Sequence, residues 1–467
     1  MSRLKRVFRY IGHYGVKSAL GVAKEKLLID PKRFSPDKKR TLPGFDLTYK
    51  KAMLPQLVSD GENYEPLTVM YLIHYFYPER KGGTERFTLN LAKTQKELGN
   101  SPIVLVLDAN EPKSLYTERC GNILYRYYEH EGIECIGFRH IKAPLGLYYK
   151  SVNLNDNEMK AFAKFITEKH SVDVVHATYP QPFASFLMYC LESDIPYVAT
   201  CTDFCMMCHY STMVDTNGDF CVSTEEGKRC SEICKTYGCR DFAERRANAA
   251  KVLSGAEIVT VPSDFVARVM GNEYKEVSFV PVPHGISSAF EYKERQGRVK
   301  KFVYAGTLTA LKGVHMLIES FNSLEQTDIT LDIYGEGNDS YTKQLLSLAG
   351  ERVKLHGAVP GDKMPEIYSC ADCVIVPSMW YETYNFVLRE ALMTGAFVLS
   401  ANIGAMPEAV KEGENGYLFA PSDREALTVA MKKALEFDFG NYSTSAFPSL
   451  RDEGAVYFAI YRRACKK

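Results

Sequence analysis

The sequence predicts an α/β protein built from two doubly wound parallel sheets that face each other across a cleft and end in a helix. Three observations carry this expectation. Short apolar runs alternate with amphipathic helical stretches along most of the chain, the pattern of parallel sheets covered by helices. The alternation occurs twice, on either side of a polar stretch at residues 287–300 that holds Glu291, Lys293, Glu294, Arg295 and Gln296. With 467 residues, 46% hydrophobic and 24% charged, the chain can bury two sizeable cores, which excludes disordered, collagen-like and coiled-coil readings for its bulk.

In the first half, residues 67–73 form a continuous apolar run, the signal of a buried strand. Gly82 and Gly83 follow, and residues 84–98 place Phe87, Leu91 and Leu98 on one side of a helix that Gly99 ends. Further strands are expected at 103–107, 172–176, 197–200 and 258–261. In the second half, strands at 301–305, 330–334, 353–356, 373–376 and 397–400 alternate with helices at 314–322, 340–348, 364–369 and 386–394. Residues 454–467 put Val456, Ile460 and Tyr461 on one helical face. The domains are read as a basic extension (1–60), a Rossmann-like domain (61–286), a second such domain (300–445) and a terminal helix (446–467) that packs back on the first. Ligands of such sheets bind where strand carboxyl ends face the other half.

Lys and Arg number 57, as do Asp and Glu, so the formal net charge is zero and nucleic acid is not an expected partner. The zero conceals an asymmetry. In residues 1–40, twelve basic residues stand against three acidic ones, giving +9 and leaving −9 for the remainder. Residues 4–14 carry Leu4, Val7, Phe8, Ile11 and Tyr14 at helical spacing, with Lys5, Arg6 and Arg9 off that stripe. This pattern suits an interfacial helix at an anionic membrane, or a helix packed on the body and interrupted at Gly12 and Gly15. The amino terminus lacks the apolar run of a signal peptide, and no stretch reaches the ~18 apolar residues of a membrane span. A cytoplasmic protein, peripheral on the inner face of the membrane if the arm binds there, is the expectation. In that reducing compartment the thirteen cysteines would be thiols or metal ligands.

The most informative stretch runs from Trp380 to Gly395. Glu382 and Glu390 stand eight residues apart, which on one continuous helix would set them ~80° apart around the axis, too far for a close acid–base pair. A broken helix reads better: Asn385 caps it and Gly395 ends it, so Glu382 lies on the loop before a helix start and Glu390 inside the helix. The amides of Asn385, Phe386 and Val387 then point at the same space as Glu382, and exposed helix starts hold phosphates. Carboxylates that accept from sugar hydroxyls beside amides that hold a diphosphate suit a nucleotide sugar. On spacing alone, two solvated glutamates on a surface helix would read the same.

Context extends the pattern. Upstream, a strand ends in Gly306, followed by Thr307 and then Lys312-Gly313 before a helix; glycine admits a ligand to the backbone, and lysine neutralises phosphate. Gly335 and Gly337 follow the next strand, and Asn415-Gly416 lies beyond Pro407-Glu408. This ordered set over residues 300–420 resembles the donor domain of the retaining glycosyltransferases of family 4, which have the GT-B fold. The first half agrees: Tyr77-Pro78 with Gly82-Gly83-Thr84-Glu85 resembles the family's glycine-rich loop facing the donor phosphates. Asp173 to His176 and Thr200-Cys201-Thr202-Asp203 resemble later motifs of the acceptor half, although a lone strand-end histidine is more often a satisfied core residue.

The resemblance implies a retaining transfer of a sugar from a nucleotide sugar to a hydroxyl of a glycan or lipid-linked saccharide, in surface polysaccharide or glycoconjugate synthesis. Glu382 and Asp203 are the implied catalytic residues, Glu382 orienting the donor sugar. Glu390 would take the ribose. Lys312, Gly82, Gly83, Gly306, Thr307, Gly335 and the amides of Asn385, Phe386 and Val387 would surround the diphosphate. No catalytic metal or cofactor is implied. Three positions depart from the family's usual pattern: Thr202 replaces a histidine, Thr307 a basic residue and Asn385 a glycine. A scaffold without activity and a nucleotide-sugar epimerase are the alternatives.

Residues 204–240 form a cysteine-rich insert holding Cys205, Cys208, Cys221, Cys230, Cys234 and Cys239. Cys208, Cys221, Cys230 and Cys234 resemble a four-cysteine pattern of some family members. A structural zinc or an iron–sulfur cluster would staple this loop beside Asp203; buried free thiols are the other reading.

Overall fold

The computed structural model describes residues 49–50, 52–56, 64–108, 113–141, 151–234 and 241–465. The basic arm at 1–40, its candidate interfacial helix and Cys239 lie outside the described residues.

The amino-terminal half contains β1 (Thr68–Ile73), α1 (Gly83–Glu97), β2 (Ser101–Leu107), β3 (Glu118–Cys120), β4 (Ile123–His130), β5 (Ile133–His140), α2 (Asn157–Lys169), β6 (Val174–Ala177), α3 (Ala184–Glu192), β7 (Tyr197–Thr200), α4 (Phe242–Ser254), β8 (Ile258–Val261), α5 (Asp264–Glu273) and β9 (Phe279–Pro281). They form one nine-stranded sheet in the order β3-β4-β5-β2-β1-β6-β7-β8-β9. Its central strands are parallel, with Thr68 opposite Ser101 and Val69 opposite Val174. Strands buried on both faces read as near-continuous apolar runs, as β1 and β7 do, whereas fully buried β6 carries His176 within it. The β3–β4–β5 edge is an antiparallel meander. There β4 alternates between more and less buried positions, a period-two signal that a search for apolar runs passes over.

The second half contains β10 (Lys301–Ala305), α6 (Val314–Asn322), β11 (Thr330–Tyr334), α7 (Asp339–Leu348), β12 (Val353–Gly357), α8 (Met364–Cys370), β13 (Cys373–Val376), α9 (Phe386–Met393), β14 (Phe397–Ala401), β15 (Gly416–Phe419) and α10 (Arg424–Glu436). Its six strands are parallel in the order β12-β11-β10-β13-β14-β15. Local capping sets several helix starts. The side chains of Asp156, Asp241, Ser263, Asn338, Asn385 and Asp423 accept from amides of the first turns they precede. The polar stretch 287–300 between the halves carries neither helix nor strand.

The chain then returns. Helix α11 (Leu450–Cys465) lies against α1, where Gln95 donates to the carbonyl of Gly454 at 2.7 Å. A side chain at Gly454 would overlap Thr94, so the two helices approach at glycine distance. Tyr457 and Tyr461 reach the first sheet, Tyr457 to Thr260 at 2.9 Å and Tyr461 to His176 at 2.6 Å. Glu453 accepts from the His284 ring at 3.0 Å and from the Gly285 amide at 2.9 Å, binding α11 to the exit from the first domain. Among the described residues no helix is long and apolar enough to cross a membrane.

Candidate active site

The carboxyl ends of both sheets meet at the cleft. At the end of β10 the chain turns at Gly306, and a side chain on Gly335 after β11 would collide with the Gly306 carbonyl at 1.8 Å. These two strand ends therefore lie backbone to backbone. Gly313 has φ +69°, and a side chain there would meet the Pro377 carbonyl at 2.1 Å. Only glycine combines that conformation with that approach. Its seating on the β13 exit, together with the Met379 amide donating to the Leu311 carbonyl at 2.7 Å, delivers Lys312 to Glu382.

Glu382 is buried, and three donors converge on its Oε1: Lys312 Nζ at 2.6 Å, Ser378 Oγ at 2.6 Å and Trp380 Nε1 at 2.7 Å. Lys312 also stands 5.0 Å from the Trp380 ring centroid. Burial pushes the Glu382 carboxyl up, but the Lys312 charge and these hydrogen bonds outweigh it and hold the group below its usual value. It is an ionised carboxylate with Oε1 saturated from one side.

Asn385 takes φ +66° and caps α9, its side chain accepting from the Leu388 amide at 2.9 Å. Asparagine tolerates this left-handed conformation and caps well. Arg389 braces the loop from beneath: it is buried, donates to the carbonyls of Tyr384 and Ala405, and lies 3.9 Å from the Tyr384 ring centroid. One turn into the helix, Glu390 is 2% exposed and its partner comes from the other domain, the guanidinium of Arg86 on α1. Burial raises the Glu390 carboxyl above its usual value, with Arg86 opposing that rise.

The first domain presents its glycine loop to the same place. Gly83 faces the Phe386 ring, which a Cβ on it would approach at 3.8 Å. Glu85 folds back over Gly82, where it is buried and accepts from backbone amides of Gly82 and Glu85. Desolvation raises its carboxyl and the charge of Asp203 adds to that rise. Thr202 joins the halves: its hydroxyl meets Thr84 Oγ1 at 2.8 Å, and its carbonyl accepts from Thr383 Oγ1 at 2.7 Å, next to Glu382. A threonine here ties the glycine loop to the donor-side loop.

Asp203 accepts from the Cys205 amide at 2.7 Å, and burial raises its carboxyl to about 6 against hydrogen bonds from Cys205, Tyr179 and Ser211. His176 lies elsewhere. It is fully buried between Tyr461 and Thr200, and burial lowers its pKa to about 3, so it is neutral and satisfied within the core.

The cysteine-rich insert reaches the same loop. Phe220 from the insert and Phe265 from α5 both pack on Tyr381, immediately before Glu382, at 4.8 and 5.3 Å between centroids. Arg245 on α4 holds the insert's start by donating to the carbonyls of Cys205, Met206 and Met207. Cys208, Cys230 and Cys234 are buried, Cys221 half-buried, and Cys230 senses the other three as neighbouring thiols. Among the described residues no three His, Cys, Asp or Glu side chains are grouped to hold a metal ion.

The site thus brings together Glu382, Glu390, Lys312, Gly83, Phe386 and the α9 start. Sequence reasoning missed Arg86, Ser378, Trp380, Glu85 and Arg389 as parts of it. Arg86 had a legible signal, since the third residue after Gly83 falls on the first turn of the helix the glycine loop opens.

Comparison with known proteins bears on the family and the fold. A model described as Glycosyltransferase Family 4 matches residues 81–290, and one described as Glycosyl transferases group 1 matches residues 299–436. An uncharacterised glycosyltransferase of Methanocaldococcus jannaschii is 31% identical over 145 residues, 30% of this chain and 37% of the relative. The lipopolysaccharide 1,2-N-acetylglucosaminetransferase of Salmonella typhimurium is 26% identical over 231 residues, 42% of this chain and 60% of the relative. The matches thus span 37% and 60% of these two relatives' own lengths. Among solved structures, a glycosyltransferase of Rickettsia africae superposes with a TM-score of 0.56 at 18% identity, covering 86% of this chain and all of that one. HepE of Anabaena, solved with UDP, gives 0.57 at 17% identity over 85% of this chain and 95% of its own. These likenesses establish the fold as GT-B. With a family model on each half and its site built where the two sheets meet, the chain belongs to the group 1 glycosyltransferases.

Proposed function

We propose that this protein is a retaining glycosyltransferase that moves a sugar from a nucleotide sugar to a hydroxyl of a glycan or lipid-linked saccharide, in surface polysaccharide or glycoconjugate synthesis. The observation that carries the reading is the convergence of Glu382 and Glu390, each paired with a cation, on the α9 start and the Gly82-Gly83 loop. The Salmonella relative's name, a lipopolysaccharide transferase, and the UDP in the HepE structure support the substrate class.

In this reading Glu382, with Oε1 held by three donors, orients the donor sugar through its other oxygen. Glu390 takes the ribose hydroxyls. Lys312, the Gly83 region and the amides at 385–387 bind the diphosphate, with Gly306, Thr307 and Gly335 keeping the strand ends open to it. Asp203 is the second catalytic residue, on the acceptor side. The bond from the anomeric carbon to the phosphate oxygen breaks, and the acceptor oxygen bonds the same carbon on the same face. The acceptor's proton passes to the departing diphosphate. Stabilising that leaving group is the main catalytic contribution, and Lys312 and the helix amides supply it. The reaction needs no metal or cofactor. Incubation with a panel of nucleotide sugars and a lipid-linked acceptor pool, with the anomeric configuration of the product read by NMR, tests this. Inversion would refute retention, an isomerised donor would favour an epimerase, and no turnover would favour a binding scaffold.

The +9 arm would hold the protein on the inner, anionic face of the membrane, and deleting residues 1–40 is then expected to abolish salt-sensitive liposome binding. A structural zinc would require Cys208, Cys221, Cys230 and Cys234 to draw together; metal analysis with and without Cys230→Ser tests it, and no metal in either ends it.

A further inference from the structure

Arg86 has no role among the residues assigned so far beyond neutralising Glu390. We propose that Arg86 is a diphosphate-binding residue shared between two anions: it is the counter-ion of Glu390 and passes to the donor's diphosphate when ribose hydroxyls take over Glu390. The proposal rests on the donor-site reading above and names the group that joins its ribose and phosphate ends.

Four features of the site support it. Arg86 rises from the first turn of α1, three residues after Gly83, so it leaves the same loop that faces the donor half. Its guanidinium lies over the Phe386 ring, 4.3 Å from the centroid, and Gly83 faces that same ring. Guanidinium, glycine loop and α9 start thus share one surface, and an anion at the helix start is within a side-chain swing of Arg86.

The two members of the ion pair also differ in freedom. Glu390 is 2% exposed at its side chain and sits on a packed helix, whereas Arg86 keeps 31% of its side chain exposed. If the pair parts, Arg86 is the partner that moves. Finally, the exchange conserves charge and hydrogen bonding. Two neutral ribose hydroxyls can donate to Glu390 in place of the guanidinium, and the doubly charged diphosphate then receives its fork of N–H donors, the geometry that suits arginine to phosphate.

Calorimetric titration of the full chain with UDP, GDP and ADP, and with the parent nucleosides, tests the assignment. For the nucleotide that binds tightest, Arg86→Met is expected to weaken diphosphate binding about tenfold or more, the loss of one charge-assisted hydrogen-bonding group. Binding of the parent nucleoside is expected to stay equal or tighten, because Glu390 loses its competitor. Arg86→Lys, which keeps the charge, is expected to lose less. Equal losses for nucleoside and diphosphate would make Arg86 a structural support of Glu390 and overturn the proposal. An unchanged diphosphate affinity, or equal losses in the Met and Lys variants, would overturn it too. If the unaltered protein binds none of the three diphosphates, the donor-site reading itself falls and this assignment with it.

Discussion

Lys312→Met isolates the electrostatics of the Glu382 site. The substitution keeps most of the stem that packs near Trp380 and removes the charge 2.6 Å from Glu382 Oε1. Side-chain exposures of 24% for Lys312 and 9% for Glu382 place the pair at the edge of the interior. Breaking a buried pair by deleting one partner costs ~3–5 kcal/mol, and the partial exposure of Lys312 lowers this to about 2–3 kcal/mol at pH 7. Ser378 and Trp380 still donate to the carboxylate, which also limits the loss.

The pH dependence gives the sharper test. In the unaltered protein the folded carboxyl sits below its unfolded value of about 4.3. Its stabilisation is then present above that value and is lost as pH falls through the folded pKa. Without Lys312, burial wins and the folded pKa moves above the unfolded one. The ionised group then destabilises at neutral pH, and that penalty fades as pH falls through the raised pKa. The stability gap between the two proteins, measured by urea or thermal unfolding, should be widest near pH 7 and narrow toward pH 5. Adding Glu382→Gln to Lys312→Met should recover part of the loss. A gap that is constant with pH, and unrelieved in the double variant, would refute the argument that Lys312 neutralises Glu382.

Three further outcomes are expected. Asn385→Ala should cost about 2 kcal/mol, losing both the cap and the tolerance of φ +66°, whereas Asn385→Gly keeps the backbone and should cost only a few tenths; equal losses on melting would remove the conformational argument. Because burial raises the Asp203 carboxyl to about 6, its ionisation costs stability progressively from the unfolded value of ~3.9 up to that pH; Asp203→Asn should add about 2–3 kcal/mol at pH 7.5, about half of that at pH 5 and little below about pH 4. Glu453→Leu strands the His284 ring and the Gly285 amide in a buried site and should cost about 2–3 kcal/mol, with faster hydrogen exchange along α11 as the local readout.

Much of this molecule was legible before its structure. The central strands are rich in apolar and β-branched residues because helices cover both faces of a parallel sheet, so 197–200, 258–261, 301–305, 330–334 and 373–376 read correctly to the residue. The start of α9 was legible too, since a cap is a local interaction between Asn385 and an amide three residues on. The meander β3–β5 was not: β4 spreads its apolar signal over alternate residues and β3 is a three-residue, largely exposed edge.

The sequence by itself determined the two-sheet α/β class, the helix starts and the residue types able to meet a sugar diphosphate: glycine loops, a lysine and two carboxylates at a fixed interval. Tertiary structure alone decided which charges meet. Arg86 and Glu390 are separated by 304 positions and Lys312 and Glu382 by 70; the first pair needs the two sheets' carboxyl ends to meet, and the second needs the exits of neighbouring strands β10 and β13 to lie side by side. It also decided that Thr202 is a bridge between the halves, that His176 is a neutral core residue, and that the four insert thiols are neighbours. The physical reason is range: caps and apolar runs are set within a few residues, whereas the burial and partner of a charge depend on chain segments brought together only by folding.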